Sequence, residues 1–278
     1  MIAPAGRRVS KWHSGMTTDA WTDGKAYERY VGRWSRRVAE AFIRWLGVRP
    51  HGTWLDFGCG TGALAQTILA TADPALVTGC DRSPGYVAYA RHQTPDARAN
   101  FRVAELPDLP RTGGGFDAVV SGLVLNFLPS PADGVGAMAS RARVGGTIAA
   151  YVWDYAEGME FMRVFWDAAI ALDGTARELD EGVRFPLCRP DALLRLFEGA
   201  GLHGVEVQPI TVPTIFQRWD DYWTPFLGGQ GPAPSYVKTL PPERRVELGD
   251  AIRRRLPAAP DGTIRLHARA WAAKGIAA

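Results

Sequence analysis

Trp54-Leu55-Asp56-Phe57-Gly58-Cys59-Gly60-Thr61-Gly62 decides the reading of this 278-residue chain. A short apolar strand runs into three alternating glycines, and a helical stretch, Ala63 to Ala70, starts at once. Glycine is needed where backbone takes positive φ or where a ligand comes closer than a Cβ allows, so the turn reads as a ligand cradle. The free N–H groups of the helix start face the same place. The dinucleotide fingerprint G-x-G-x-x-G would want a glycine at 63, where the chain has Ala63. Asp56 inside the turn would repel a pyrophosphate and suits a ligand ammonium. A second strand, Ala75 to Cys80, then ends in Asp81, at the position where α/β nucleotide folds set a carboxylate on ribose hydroxyls.

Outward from the turn, apolar strands are expected at 53–57, 76–80, 100–103, 116–122 and 147–152. Helices fit 63–71, 84–92 and 131–142, with Pro84 and Pro131 near their starts. Alternation of this kind predicts a doubly wound α/β fold, a parallel sheet with helices on both faces. Gly113–Gly115 and Gly145-Gly146 mark tight turns before the fourth and fifth strands. Upstream, Tyr27, Val31, Trp34, Val38, Ala41 and Trp45 write an apolar stripe on a helix over 25–46, ended by Gly47 and Pro50. The tail, 263–272, alternates as a half-exposed strand.

These residues resemble the class I S-adenosylmethionine (SAM) dependent methyltransferases, of the type 11-like small-molecule superfamily. LDFGCGTG is similar to that family's first cofactor motif, and Asp81 takes the position of the second. FRVAELPDLP (101–110), FDAVVSGLVLNFLPSP (116–131) and RVGGTIAAYVWDY (143–155) follow in the family's order, so the likeness covers roughly 25–155. It implies a Rossmann-like, mostly parallel seven-stranded sheet whose last strand pairs antiparallel with one near 203–209. It also implies SAM as cofactor, held by Asp56, Gly58, Cys59, Gly60, Asp81, Arg82, Glu105 and Leu106, with Asp108 as the alternative acid to Glu105. In the family the 25–46 helix covers the cofactor, which makes Tyr30 and Arg33 candidates for the SAM carboxylate; the plain alternative is a core tyrosine and a surface arginine.

On the acceptor side, Asn126 follows the fourth strand with Phe127 and Leu128 as walls, and a helix cap or turn is its bland alternative. Asp154 and Tyr155 follow the fifth strand and are the candidate bases, unless Asp154 simply starts a turn. Residues 16–278 read as one methyltransferase domain carrying cap insertions at about 156–189 and 213–257. The aromatics Trp153, Tyr155, Phe161, Trp166, Trp219, Tyr222, Trp223 and Phe226 suggest a closed apolar pocket for a small organic acceptor. A carboxylate held by Arg177, Arg184 or Arg189 is the preferred variant. The alternative is that these aromatics form a second core.

A net charge of +3 is too small to predict nucleic-acid binding. Three cysteines cannot all pair within one chain, so a reduced, cytoplasmic protein is expected. The five histidines form no metal-ligand spacing, and no apolar run reaches membrane length. Residues 1–15 look disordered or appended, with Met16 an alternative start. Two rival readings stand beside methyl transfer: a NAD-dependent oxidoreductase, disfavoured by the glycine spacing and Asp56, and a SAM-binding protein without transfer activity.

Overall fold

The computed structural model describes residues 31–228, 231–257 and 259–278. Seven strands form one sheet: β1 Thr53–Phe57, β2 Leu76–Asp81, β3 Ala99–Val103, β4 Phe116–Gly122, β5 Ala142–Trp153, β6 His203–Phe216 and β7 Ile264–Ile276. Their spatial order is β3-β2-β1-β4-β5-β7-β6. Strands β1 to β5 pair in parallel, and β7 runs antiparallel to both its neighbours. Helices α1 Arg33–Leu46, α2 Ala63–Thr71, α3 Pro84–Gln93 and α4 Pro131–Ala139 accompany the parallel part. Between β5 and β6 lie α5 Glu160–Leu172, α6 Glu181–Arg184 and α7 Pro190–Gly199; between β6 and β7 lie α8 Trp219–Trp223, α9 Pro232–Thr239 and α10 Pro242–Arg255.

Burial explains the central strands. Trp54, Leu55, Asp56 and Phe57 are all buried, as a parallel strand covered by helices on both faces requires. Ser83 and Ser130 start α3 and α4 by accepting hydrogen bonds from Tyr86 N and Asp133 N, with proline at the first helical position of each. From β1 the chain winds outward through β2 to β3, then returns to β4 on the other side of β1. The crevice between the carboxyl ends of β1 and β4 is therefore the switch point, where open α/β sheets bind ligands.

Three boundaries differ from the sequence reading. Strand β5 begins at Ala142, and Gly145-Gly146 lies inside it where the pairing with β4 shifts register, so this pair kinks a strand that it was expected to precede. Strand β6 runs on to Phe216, paired through Pro213 with β7. Pro209 and Pro213 interrupt the strand signal, yet β6 is the edge of the sheet, where a missing N–H is tolerated. The buried face of α1 runs through Val38, Ala39, Phe42 and Leu46, leaving Ala41 and Trp45 half-buried, because the helix meets both α2 and the β6 side of the sheet.

Most of the cap aromatics pack on one another. Phe165 stacks on Phe226 at 4.7 Å, Phe216 meets Tyr222 at 5.2 Å, and Trp219 stacks on Trp223 at 5.6 Å. Phe161, Phe165, Trp166, Tyr222 and Phe226 are fully buried among themselves, and the Tyr222 hydroxyl donates to Phe161 O at 2.6 Å. Together they form a second core, the alternative outcome, because side chains of this size satisfy one another wherever two insertions meet.

Candidate active site

The three glycines of the turn do different jobs. Gly58, Gly60 and Gly62 all have positive φ, at 72°, 50° and 89°. A Cβ on Gly58 would sit 2.5 Å from a Val124 methyl, and one on Gly62 would sit 3.1 Å from Ala90 Cβ. In front of Gly60 nothing lies within 4 Å. Two of the glycines thus allow close packing, and only Gly60 leaves room for a ligand. The turn is tied to β2 by Gly58 N and Cys59 N, which both donate to Cys80 O at 2.8 and 2.9 Å.

Asp56 is 1% exposed, and neither carboxylate oxygen has a hydrogen-bond partner. Burial raises its pKa to about 7; the nearby Ala65 amide offsets this in part and the Asp81 charge adds to it. A buried carboxyl without a donor is a site that a cation would satisfy. Asp81 closes the other side, accepting from Gly60 N at 3.1 Å and from Ser83 N at 2.8 Å. Its neighbour Arg82 is exposed, and Cys59 is buried.

Glu105 and the half-buried Leu106 begin the loop after β3, and the Glu105 side chain is exposed. Arg141 holds that loop in place: its Nε donates to Leu109 O at 3.0 Å and its Nη2 to Pro107 O at 2.9 Å. Nothing in the sequence marked Arg141, since a lone arginine after a helix usually faces water. A polar cleft of about 600 Å³ lies beside this loop, lined by Asp108, Arg111, Asp133 and Arg141 among others.

The turn after β4 touches the glycine turn through Val124, whose side chain occupies the space over Gly58. Leu123 takes φ 62°, a conformation that bulky residues rarely adopt. Asn126 follows in a single helical turn, Leu125–Phe127, and its Nδ2 is buried without a partner. Phe127 is 40% exposed and meets Phe185 of the cap edge to face at 5.1 Å. Tyr155 is buried and packs on the same Phe185 at 5.5 Å. The structure thus brings Asn126 and Tyr155 to one edge, joined through Phe127 and Phe185.

Asp154 is not available as a base. Its Oδ2 accepts from Arg269 Nε at 2.6 Å and its Oδ1 accepts from Glu157 N at 3.2 Å. Its side chain is 4% exposed. It is the turn-forming residue of the alternative reading, anchoring the start of the cap to β7. Asp154→Ala is expected to cost ~1–3 kcal/mol of stability, the range for a lost charged hydrogen bond, and to leave cofactor affinity unchanged. Denaturant titration beside calorimetry checks it; full stability with lost turnover would restore a base role.

Arg33 keeps its Nε and Nη2 buried without a partner. It pairs with Asp221 at 2.9 Å and stacks between Trp34 and Phe216, at the end of β6 on the far edge of the sheet. Arg36, three residues on, is the side chain that reaches α2, donating to Gln66 at 2.9 Å. Helical spacing fixes which residues share a face but not which way that face turns. Tyr30 lies outside the described residues.

Residues 55–150 match the methyltransferase domain family and form such a domain. A 144-residue stretch is 36% identical to the ribosomal protein L11 methyltransferase of Burkholderia mallei, covering 51% of this chain and 46% of that protein. The chain thus spans about half the length of the curated relatives it matches. Among solved structures, the SAM complex of Haemonchus contortus phosphoethanolamine N-methyltransferase 2 superposes with a TM-score of 0.57 at 16% identity, over 91% of this chain and 56% of that one. The cyclase SpnF gives 0.51 at 17%, over 88% and 80%. At such identities the likeness shows the class I methyltransferase fold and leaves the chemistry to the site.

Proposed function

We propose, from the methyltransferase domain that residues 55–150 form, that this chain binds SAM at the β1 turn and transfers its methyl group to a small organic acceptor. The observation that carries the cofactor half is the pairing of an orphaned buried carboxylate, Asp56, with open space over Gly60. Asp56 would take the ammonium end, directly or through water, Asp81 the ribose hydroxyls, and the Glu105–Leu106 loop the adenine.

SAM, when bound, would supply an electrophilic methyl, the C–S electron pair staying on sulfur while the acceptor's lone pair makes the new bond. The chain's task is then to align the acceptor and exclude water. No covalent intermediate is needed, and a base matters only where the acceptor carries a proton at working pH. A small acceptor is favoured because the cap roofs its edge, with Phe185 seated on Phe127 and Tyr155. A folded protein substrate would need that edge open.

Asp81→Ala is expected to weaken S-adenosylhomocysteine binding by ~1–3 kcal/mol, the range for a hydrogen bond made by a charged group, while NAD binds negligibly to either form. Calorimetry decides both, and comparable NAD affinity would remove the cofactor assignment. Labelled SAM offered with a metabolite extract, with total tRNA and with protein lysate tests the acceptor class. Label entering only tRNA or protein would overturn the small acceptor. Tight S-adenosylhomocysteine binding with no transfer anywhere would favour a binding-only role.

A further inference from the structure

Asn126 stands in a turn that is costly to build. Its buried Nδ2 lacks a partner, and an unsatisfied amide of this kind costs about 1–3 kcal/mol. Three residues earlier, Leu123 holds its left-handed φ of 62° at a cost of similar order. The same turn is fixed against the cofactor cradle, since Val124 fills the space above Gly58. Two unfavourable features within four residues, placed beside the proposed methyl donor, are explained if a ligand group completes the turn.

The surroundings define that group. An amide N–H₂ needs a lone pair, so the partner of Nδ2 is an oxygen acceptor or an unprotonated nitrogen. Phe127, half-exposed, and Phe185 stand 5.1 Å apart with ring planes at 76°, and Tyr155 lies 5.5 Å from Phe185. Aromatic edges and faces in this arrangement receive a flat conjugated ring better than a puckered one. The Arg184 guanidinium lies over the Phe185 ring at 5.3 Å, which places positive charge on the cap side of the same group. Asn126 supplies the hydrogen-bond donor to such a group.

We infer that the Asn126 turn and the Arg184-Phe185 segment of the cap form the acceptor subsite, and that the acceptor is a planar, conjugated molecule presenting a carbonyl, carboxylate or phenolate oxygen to Asn126. The inference rests on the methyl-transfer reading and narrows it to a substrate class. Asn126 acts as a binding and orienting group here, and Phe127 and Phe185 set shape.

The test uses the full chain saturated with S-adenosylhomocysteine and three probes: 4-hydroxybenzoate, benzylamine, and 4-hydroxycyclohexanecarboxylate, which keeps the oxygens without the flat ring. Affinities are read by calorimetry or saturation-transfer NMR. The expected result is that 4-hydroxybenzoate binds about ten-fold or more tighter than the other two, and that Asn126→Ala removes about ten-fold of that affinity, as loss of one buried hydrogen bond predicts. Asn126→Asp, which keeps the shape and removes the donor, is expected to lose at least as much. S-adenosylhomocysteine affinity stays within about two-fold in both variants, which also shows that they are folded. Equal affinity for all three probes, a preference for benzylamine, or undiminished 4-hydroxybenzoate binding in both variants would overturn the inference while leaving the cofactor reading intact. Failure of the wild-type chain to bind S-adenosylhomocysteine would overturn both.

Discussion

Gly58→Ala is expected to destabilise the fold by several kcal/mol, whereas Gly60→Ala stays folded and loses the cofactor. Both positions have positive φ, at 72° and 50°, so each alanine carries a left-handed strain of about 1–2 kcal/mol. Their surroundings separate them. A Cβ at 58 would lie 2.5 and 2.8 Å from the two Val124 methyls. Val124 is held between the strained Leu123 and the buried Leu125, so it has little room to give. Overpacking of that kind adds about 1–3 kcal/mol, a large part of the ~5–15 kcal/mol that holds a typical domain. At Gly60 the Cβ meets nothing within 4 Å and fills only the space read here as the ligand's. Denaturant titration should therefore separate the variants in one order and S-adenosylhomocysteine affinity in the other. Gly58→Ala combined with Val124→Ala should recover part of the lost stability. If Gly60→Ala binds S-adenosylhomocysteine as the wild type does, the ligand does not sit over Gly60, and the cradle reading fails at its central residue.

That contrast also marks how far the sequence could be read. Strands β1, β2 and β4 were legible to within a residue, because parallel strands buried on both faces leave continuous apolar runs bounded by glycine. The glycine spacing located the turn, yet it could not say that Gly58 and Gly62 serve packing; that depends on Val124 and Ala90, distant in sequence. Asp56 and Asp81 were marked as cofactor candidates by position alone, and the structure adds what position lacks, an unpartnered carboxylate in one case and two backbone donors in the other. Asp154 was misread as a base candidate because its partner, Arg269, is 115 residues away on β7. The pairing of Arg33 with Asp221 was hidden in a similar way, since Asp221 lies in an insertion without a periodic signal. Most of the cap aromatics, expected to line a pocket, pack on one another instead. Composition can show that apolar surface must be buried, but it does not choose the surface that buries it.

Glu181 was invisible in the sequence, one charge in the run from Arg177 to Arg184 that reads as a solvated face, and it supports the last expectation. The residue is 2% exposed, at the start of α6, and its carboxyl accepts a short hydrogen bond from Trp166 Nε1. Burial raises its pKa from 4.5 to about 8; its own backbone N–H, Trp166 and Arg184 lower it, and Asp180 raises it further. Asp180 is itself engaged by Arg163 through two hydrogen bonds, at 2.9 and 2.6 Å, and the cation that acts on Glu181 is Arg184 on its own helix. The folded chain thus holds this proton more tightly than the unfolded chain does. Between pH 4.5 and 8 the folded state binds more protons, so stability falls as pH rises through that window and is flat on either side. At 1.36 kcal/mol per unit the contribution is on the order of 5 kcal/mol. Asp56 acts in the same direction between 3.8 and about 7 in the absence of a ligand cation, so the total slope alone does not identify Glu181. Glu181→Gln does, because the amide keeps the oxygen that accepts from Trp166 and removes the titration. The variant should match the wild type within about 1 kcal/mol near pH 4.5 and exceed it by several kcal/mol at pH 9, in denaturant titrations run on both chains with the same buffers and salt. Parallel curves across that range would mean that Glu181 ionises freely in the folded chain.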